Sequence, residues 1–179
     1  MNPNFKFWEH GDYKNSCLSR VDLPCEIIEK VSDWSKNPKG MLVFLGNPGV
    51  GKTYLIAAFI HLLLETKNFH FRYLHERDLY ARMRDCVEKG WNYERDIETI
   101  CETKWIFLDD IHSGQSTEFQ KEVLLSFVDK RGITNLPTII TSNLFLDELG
   151  KQYSSRLISR IKDKKNLVIE LNWIDKRQQ

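Results

Sequence analysis

With 179 residues the chain has room for one domain with a sizeable core and not for two. Its 41% hydrophobic and 28% charged residues are those of an ordinary globular protein, and 26 Lys and Arg against 25 Asp and Glu leave a net charge of +1, too small to imply a partner. No apolar run approaches the roughly 20 residues of a membrane-spanning helix, and the first residues lack the charged and apolar regions of a signal peptide, so no membrane association and a cytoplasmic location are expected. The four cysteines, Cys17, Cys25, Cys86 and Cys101, form no C-x-x-C pair and are expected to be free thiols.

Residues 1–20 are rich in aromatics (Phe5, Phe7, Trp8, Tyr13) without periodicity and read as an arm packed on the domain. Leu23–Trp34 carries Ile27, Ile28, Val31 and Trp34 at helical spacing, and Asn37-Pro38-Lys39-Gly40 stops it. The apolar run Met41–Leu45 then leads into Gly46-Asn47-Pro48-Gly49-Val50-Gly51-Lys52-Thr53, a complete P-loop. Its glycines allow a tight turn whose consecutive backbone N–H groups form a nest for phosphate oxygens. Lys52 can reach the β- and γ-phosphates and the Thr53 hydroxyl can ligate Mg²⁺. From Thr53 and Tyr54 to Glu65 the apolar residues recur at helical spacing, which points the positive end of a helix at the phosphates.

Phe69–His75 reads as a short strand. Glu76–Lys89 reads as a helix through Leu79, Tyr80, Met83 and Val87, stopped by Gly90, and Tyr93–Cys101 as another short helix. Trp105–Leu108 is a buried-strand pattern ending in Asp109-Asp110. At a nucleotide site Asp109 fits the metal-holding role and Asp110 the water-activating one. Thr117–Lys130 is helical, and Pro137–Thr141 is a β-branched central strand that runs into Ser142-Asn143. Asn143 can hydrogen-bond the attacking water and the γ-phosphate, or simply cap the helix that starts near Leu144. Leu144–Leu149 and Ser154–Lys162 read as short helices and Leu167–Leu171 as the last strand. Arg156 and Arg160, four apart, share one helix face: either a solvated basic surface or guanidinium groups for phosphoryl charge, supplied in trans by a neighbouring subunit. This order of elements is that of a three-layer α/β fold on a parallel sheet, in which ligands bind outside the carboxyl ends of the strands.

On Gly46–Thr53, on Trp105–Ile111 as a Walker B strand and Thr141–Asn143 as sensor 1, on Arg156-x-x-x-Arg160 and on the closing Leu171-Asn172-Trp173, the chain resembles AAA+ ATPases of the DnaC/IstB helicase-loader type, with DnaA a relative. The resemblance implies a RecA-like five-stranded sheet in the order 5-1-4-3-2, with ATP and Mg²⁺ as ligands. The N-terminal arm and helix are expected at 1–40 and the ATPase domain at 41–179; six residues follow Trp173, so, in a departure from many AAA+ proteins, no C-terminal helical lid is expected. The adenine pocket is then expected to be closed by the N-terminal segment or by another subunit. Arg160 matches the family's arginine finger, and Arg156 is its companion. Glu76–Glu102 matches the place where such proteins carry an extra helical element on single-stranded DNA; here it holds Arg77, Arg82, Arg84, Lys89 and Arg95 with Tyr80, Trp91 and Tyr93.

Asp110 stands where the loaders carry Glu, and only 45 residues precede the P-loop, so a separate helicase-docking domain is expected to be absent or reduced to an arm. The implied activity is a slow ATPase stimulated by DNA or partner, in a nucleotide-dependent homo-oligomer that helps to load a replicative helicase. Two alternatives stand beside it: a transposase regulator acting on duplex DNA, and a nucleotide-binding adaptor with little hydrolysis.

Overall fold

The computed structural model describes residues 7–21, 23–65, 70–111 and 116–172; Phe5, Phe69 and Trp173 lie outside them. Five strands, β1 (Met41–Gly46), β2 (Phe71–His75), β3 (Trp105–Ile111), β4 (Thr138–Ser142) and β5 (Leu167–Leu171), pair in the order β2-β3-β4-β1-β5. Every pairing is parallel, which is the expected 5-1-4-3-2 sheet read from the other edge.

The strand β1 explains the layering. All six of its residues are buried because both sheet faces are covered, and successive side chains divide between two cores. Leu42 and Phe44 pack with α1 (Cys25–Lys36) and α2 (Lys52–Leu64), through Val31, Leu55, Ile56, Phe59 and Ile60. Met41, Val43 and Leu45 face the other core, with α3 (Glu76–Glu88), α4 (Tyr93–Cys101), α5 (Glu118–Thr134), α6 (Leu146–Gln152) and α7 (Ser155–Ile161). Ala57 and Ala58 are buried along with the large residues of α2, because the N-terminal segment lies on the helix as well as the sheet.

That segment is more regular than its aperiodic sequence suggests. It forms three short 3-10 turns, Phe7–Glu9, Gly11–Tyr13 and Leu18–Arg20. Trp8 packs edge-on against Phe71 and Tyr73, and His61 Nε2 donates to the carbonyls of Trp8 (2.9 Å) and Tyr13 (3.1 Å).

The helix α5 runs four residues beyond the expected Lys130, and Arg131 shows why. Its side chain is fully buried. Nε donates to Thr138 Oγ1 (2.7 Å), and the two terminal nitrogens donate to the carbonyls of Cys101 (2.7 Å), Thr103 (2.8 Å), Lys104 (3.4 Å) and Pro137 (2.7 Å). Burial pulls its pKa down to about 10. One guanidinium thereby ties the end of α4 to the starts of β3 and β4. On the same core face, Glu76 accepts from the Tyr80 and Tyr153 hydroxyls, both at 2.6 Å, joining the start of α3 to the turn before α7.

Arg131→Met keeps the aliphatic stem but takes its donors away from five acceptors, of which the Pro137 carbonyl keeps another donor, Ile106 N–H. It is expected to lower the unfolding free energy by about 3–5 kcal/mol. The urea midpoint measures this, and Arg131→Lys, with one ammonium for the fork, is expected to recover only part.

Candidate nucleotide-binding site

The P-loop joins the end of β1 to the first turn of α2, and two of its glycines have steric causes. A Cβ on Gly46 would sit 2.4 Å from the Leu171 carbonyl oxygen, so β5 can pair only against glycine there. Gly51, at φ +98°, takes the left-handed N-cap position of α2, which a side chain would strain. Pro48–Thr53 line one wall of a cavity of about 790 Å³ at the carboxyl edge of the sheet. Lys52 is buried, with Nζ donating to the carbonyls of Gly46 (2.6 Å) and Asn47 (2.7 Å). Gly46 and Asn47 thus take part through their backbones, while Pro48, Gly49, Val50, Gly51, Thr53 and Tyr54 face the cavity.

Asp109 lies opposite, at the end of β3, with 1% of its surface exposed. Three hydroxyls from three elements donate to it: Thr53 to Oδ2 (3.2 Å), Tyr73 to Oδ2 (2.8 Å) and Thr141 to Oδ1 (2.5 Å). Burial and the Asp109 charge raise the Tyr73 phenol far above its usual pKa, so it remains a donor. Tyr73 also bonds His75 Nε2 at 3.1 Å.

Asp110 owes its direction to a β-bulge. Between Leu108 and Ile111 the strand β3 advances three residues while β4 advances two, from Ile140 to Ser142. The extra residue puts Asp110 at φ +60°, a conformation that Asp tolerates better than most. Its N–H, displaced from the ladder, donates to Thr141 Oγ1 at 2.8 Å, and Asn143 Nδ2 donates to its carboxylate. Burial first, and then the Asp109 charge, raise the Asp110 carboxyl above the ordinary carboxylate range.

Asp109, Asp110 and Asn143 therefore meet at one place beside the P-loop. Sequence reasoning missed Tyr73 and His75, whose only signal is the alternation that turns both toward the ligand side of β2. It also missed Asp12, Tyr13, Arg20 and Val21, by which the N-terminal segment lines the same cavity. Cys17 N donates to Tyr54 Oη (3.4 Å), tying that segment to the first turn of α2.

Thr53 and Asp109 suit a hard divalent cation. They are oxygen donors from opposite walls, already within 3.2 Å of each other, and the remaining ligands would be phosphate oxygens and water. Among the described residues no cluster of three or more His, Cys, Asp or Glu side chains could hold a metal without a nucleotide.

Arg156 and Arg160 do not line this cavity. Both donate to Asp129 on α5, Arg156 through Nη2 (2.7 Å) and Arg160 through Nε (2.6 Å). The Glu76–Glu102 region divides. Tyr80 is buried on Glu76, Arg82 is paired with Asp96, and Tyr93 packs edge-on with Phe119. Arg77, Arg84, Lys89, Arg95 and Trp91 are exposed, with Lys89 Nζ 5.1 Å from the Trp91 ring centre.

The parallel sheet, the P-loop and the paired aspartates at the end of a central strand define an ATP-binding P-loop protein of the AAA+ class. The family model for IstB-like ATP binding proteins matches residues 18–164, and the chain belongs to that family. Over 164 residues it is 23% identical to the replicative helicase loader DnaC of Escherichia coli (strain K12), a match covering 90% of this chain and 66% of that protein. The chain thus spans just under two thirds of the length of such curated relatives. The crystal structure of the DnaC helicase loader superposes with a TM-score of 0.69 at 23% identity, over 82% of this chain and 88% of that one. The replication initiator DnaA bound to AMPPCP and single-stranded DNA superposes with a TM-score of 0.73 at 18% identity, over 89% and 50%. Among the described residues no helix is long and apolar enough to cross a membrane.

Thr141→Val keeps the shape of the side chain and removes both the donor to Asp109 and the acceptor for Asp110 N–H. Titration calorimetry with and without magnesium is expected to show a loss of roughly tenfold or more in affinity for ATP that is confined to the magnesium-containing buffer.

Proposed function

We propose that this chain is an ATP-hydrolysing DNA replication factor of the helicase-loader type, which assembles into a homo-oligomer with ATP and contacts single-stranded DNA. The observation that carries the reading is the convergence of Thr53, Asp109, Asp110 and Asn143 on one cavity at the strand ends.

In this reading the backbone N–H groups of the P-loop hold the phosphates, and Lys52 exchanges the carbonyls of Gly46 and Asn47 for β- and γ-phosphate oxygens. A magnesium ion held by Thr53 and Asp109 would neutralise phosphate charge. Asn143 and Asp110, already hydrogen-bonded to each other, hold the attacking water in line with the bond to be broken. As the water oxygen bonds to the γ-phosphorus and the bond to the β-phosphate oxygen breaks, the water proton passes to the Asp110 carboxylate. The burial that raises the proton affinity of Asp110 favours that acceptance. Arg160 acts in the site of the adjoining subunit, where its guanidinium offsets charge on the γ-phosphoryl group.

Trp91, 63% exposed and flanked by Lys89, offers a stacking face and a cation to single-stranded DNA, with Arg77, Arg84 and Arg95 also at the surface of the inserted helices. A replicative helicase is the partner under this reading. The IstB-like family membership favours a second one, an ATP-dependent regulator of a transposase that acts on duplex DNA.

Lys52→Ala is expected to lose nucleotide binding, whereas Arg160→Ala binds ATP as a lone subunit and fails to assemble when ATP is added. Equal loss of binding in both variants refutes the action across subunits. Trp91→Ala is expected to weaken single-stranded DNA binding by about 1–3 kcal/mol in a fluorescence titration. In the same titration at matched salt, a preference for duplex DNA would select the transposase reading.

A further inference from the structure

The two arginines of α7 share one carboxylate but present different parts of themselves to it. Arg160 donates its inner nitrogen, Nε, to Asp129 Oδ1 at 2.6 Å. Arg156 donates a terminal nitrogen, Nη2, to Oδ2 at 2.7 Å. The tip of Arg156 is therefore engaged, while among the described residues no hydrogen bond occupies the two terminal nitrogens of Arg160. The Asp129 side chain is 19% exposed, against 63% for Arg156 and 50% for Arg160, so the fixed point lies in the body of the protein and the guanidinium groups extend outward from it. One carboxylate balances one of two positive charges. The cavity of about 400 Å³ that opens there is lined by Arg156, Arg160 and Lys165 against Asp129 and Asp163, which leaves a net positive charge. The helix that carries the arginines is itself firmly set: Ser154 caps it by accepting from Leu157 N, and Leu157 and Ile161 are buried in the core.

We propose that Asp129 is a positioning residue that gives the two arginines different tasks. It holds Arg160 by its inner edge, so that the paired terminal nitrogens face outward for the oxygens of a phosphate held by an adjoining copy of the chain. Arg156 acts as a strut that fixes the other carboxylate oxygen and does not itself meet the phosphate. Guanidinium suits the first task because its Nε and its two terminal nitrogens lie in one rigid plane, so it can be gripped on one edge and offer the other; an ammonium has no second edge. This inference rests on the reading that Arg160 acts across a subunit boundary.

Analytical ultracentrifugation of the full chain with ATP and magnesium tests it through lysine substitutions, which keep the charge. Arg156→Lys can still reach Asp129 and is expected to assemble within about threefold of the wild-type concentration. Arg160→Lys puts all its donors on one nitrogen, so a contact with Asp129 holds it back from the place where the terminal nitrogens of arginine lie, and it is expected to need about tenfold more protein or worse. Asp129→Ala is expected to match Arg160→Lys; should it fail to fold, the two lysine variants still decide. Equal behaviour of those variants, impaired or intact, overturns the division of tasks, as does greater impairment in Arg156→Lys. Normal assembly of a folded Asp129→Ala overturns the role of Asp129. If Arg160→Ala itself assembles like wild type, action across subunits fails first and this inference falls with it.

Discussion

A carboxylate buried at the end of a central strand must be surrounded by donors, and the three that surround Asp109 come from three different elements: Thr53 from α2, Tyr73 from β2 and Thr141 from β4. Hydrogen bonds to an ionised acceptor are stronger than neutral ones, and a buried charge left without them is costly. One carboxylate, the same that the proposed ion site uses, thus ties β2, β3, β4 and the first turn of α2 together. The bulge in β3 belongs to this arrangement. By adding one residue it sends two consecutive aspartates toward the ligand side, where a regular strand would have put them on opposite faces.

Much of this was legible in the sequence wherever the cause is local. Glycine spacing, an apolar run before it and a helical period after it identify the P-loop, and runs such as Trp105–Leu108 and Ile139-Ile140 identify strands covered on both faces. The bulge was not legible, because it depends on which residue of β4 lies beside which residue of β3. Nor was the role of Tyr73: the resemblance puts β2 beside β3, but that the Tyr73 hydroxyl meets Asp109 depends on the register of that pairing, with His75 opposite Asp109.

Arg131 and Glu76 did carry a signal. Leu124, Phe127, Val128 and Arg131 recur at the spacing of one helix face, and so do Glu76, Leu79, Tyr80 and Met83. A charged residue in phase with an apolar stripe must be buried, and hence richly hydrogen-bonded, or must break the stripe. The same phase argument separates the aromatics of the inserted helices. Tyr80 falls on the stripe and is taken by Glu76, whereas Trp91 follows the left-handed Gly90, off the helix, and is left outside. Interleaved basic and aromatic residues thus overstate a nucleic-acid surface until the period has removed those that belong to the core.

The charges of the molecule are arranged so that neither end of the proposed assembly is complete alone. The cavity is lined by three aspartates, Asp12, Asp109 and Asp110, against Lys52 and Arg20, and a triphosphate adds more negative charge to it. Two arginines of α7 against one aspartate of α5 leave surplus positive charge on an exposed surface, where Arg160 spends only its inner nitrogen on Asp129. On the proposed reading each surface meets the other in a neighbouring copy, so nucleotide binding and subunit association share one set of contacts. The N-terminal segment, held by His61, lines the same cavity with Asp12, Tyr13 and Arg20, so the chain's own arm closes part of the site to which nucleotide and neighbour would come.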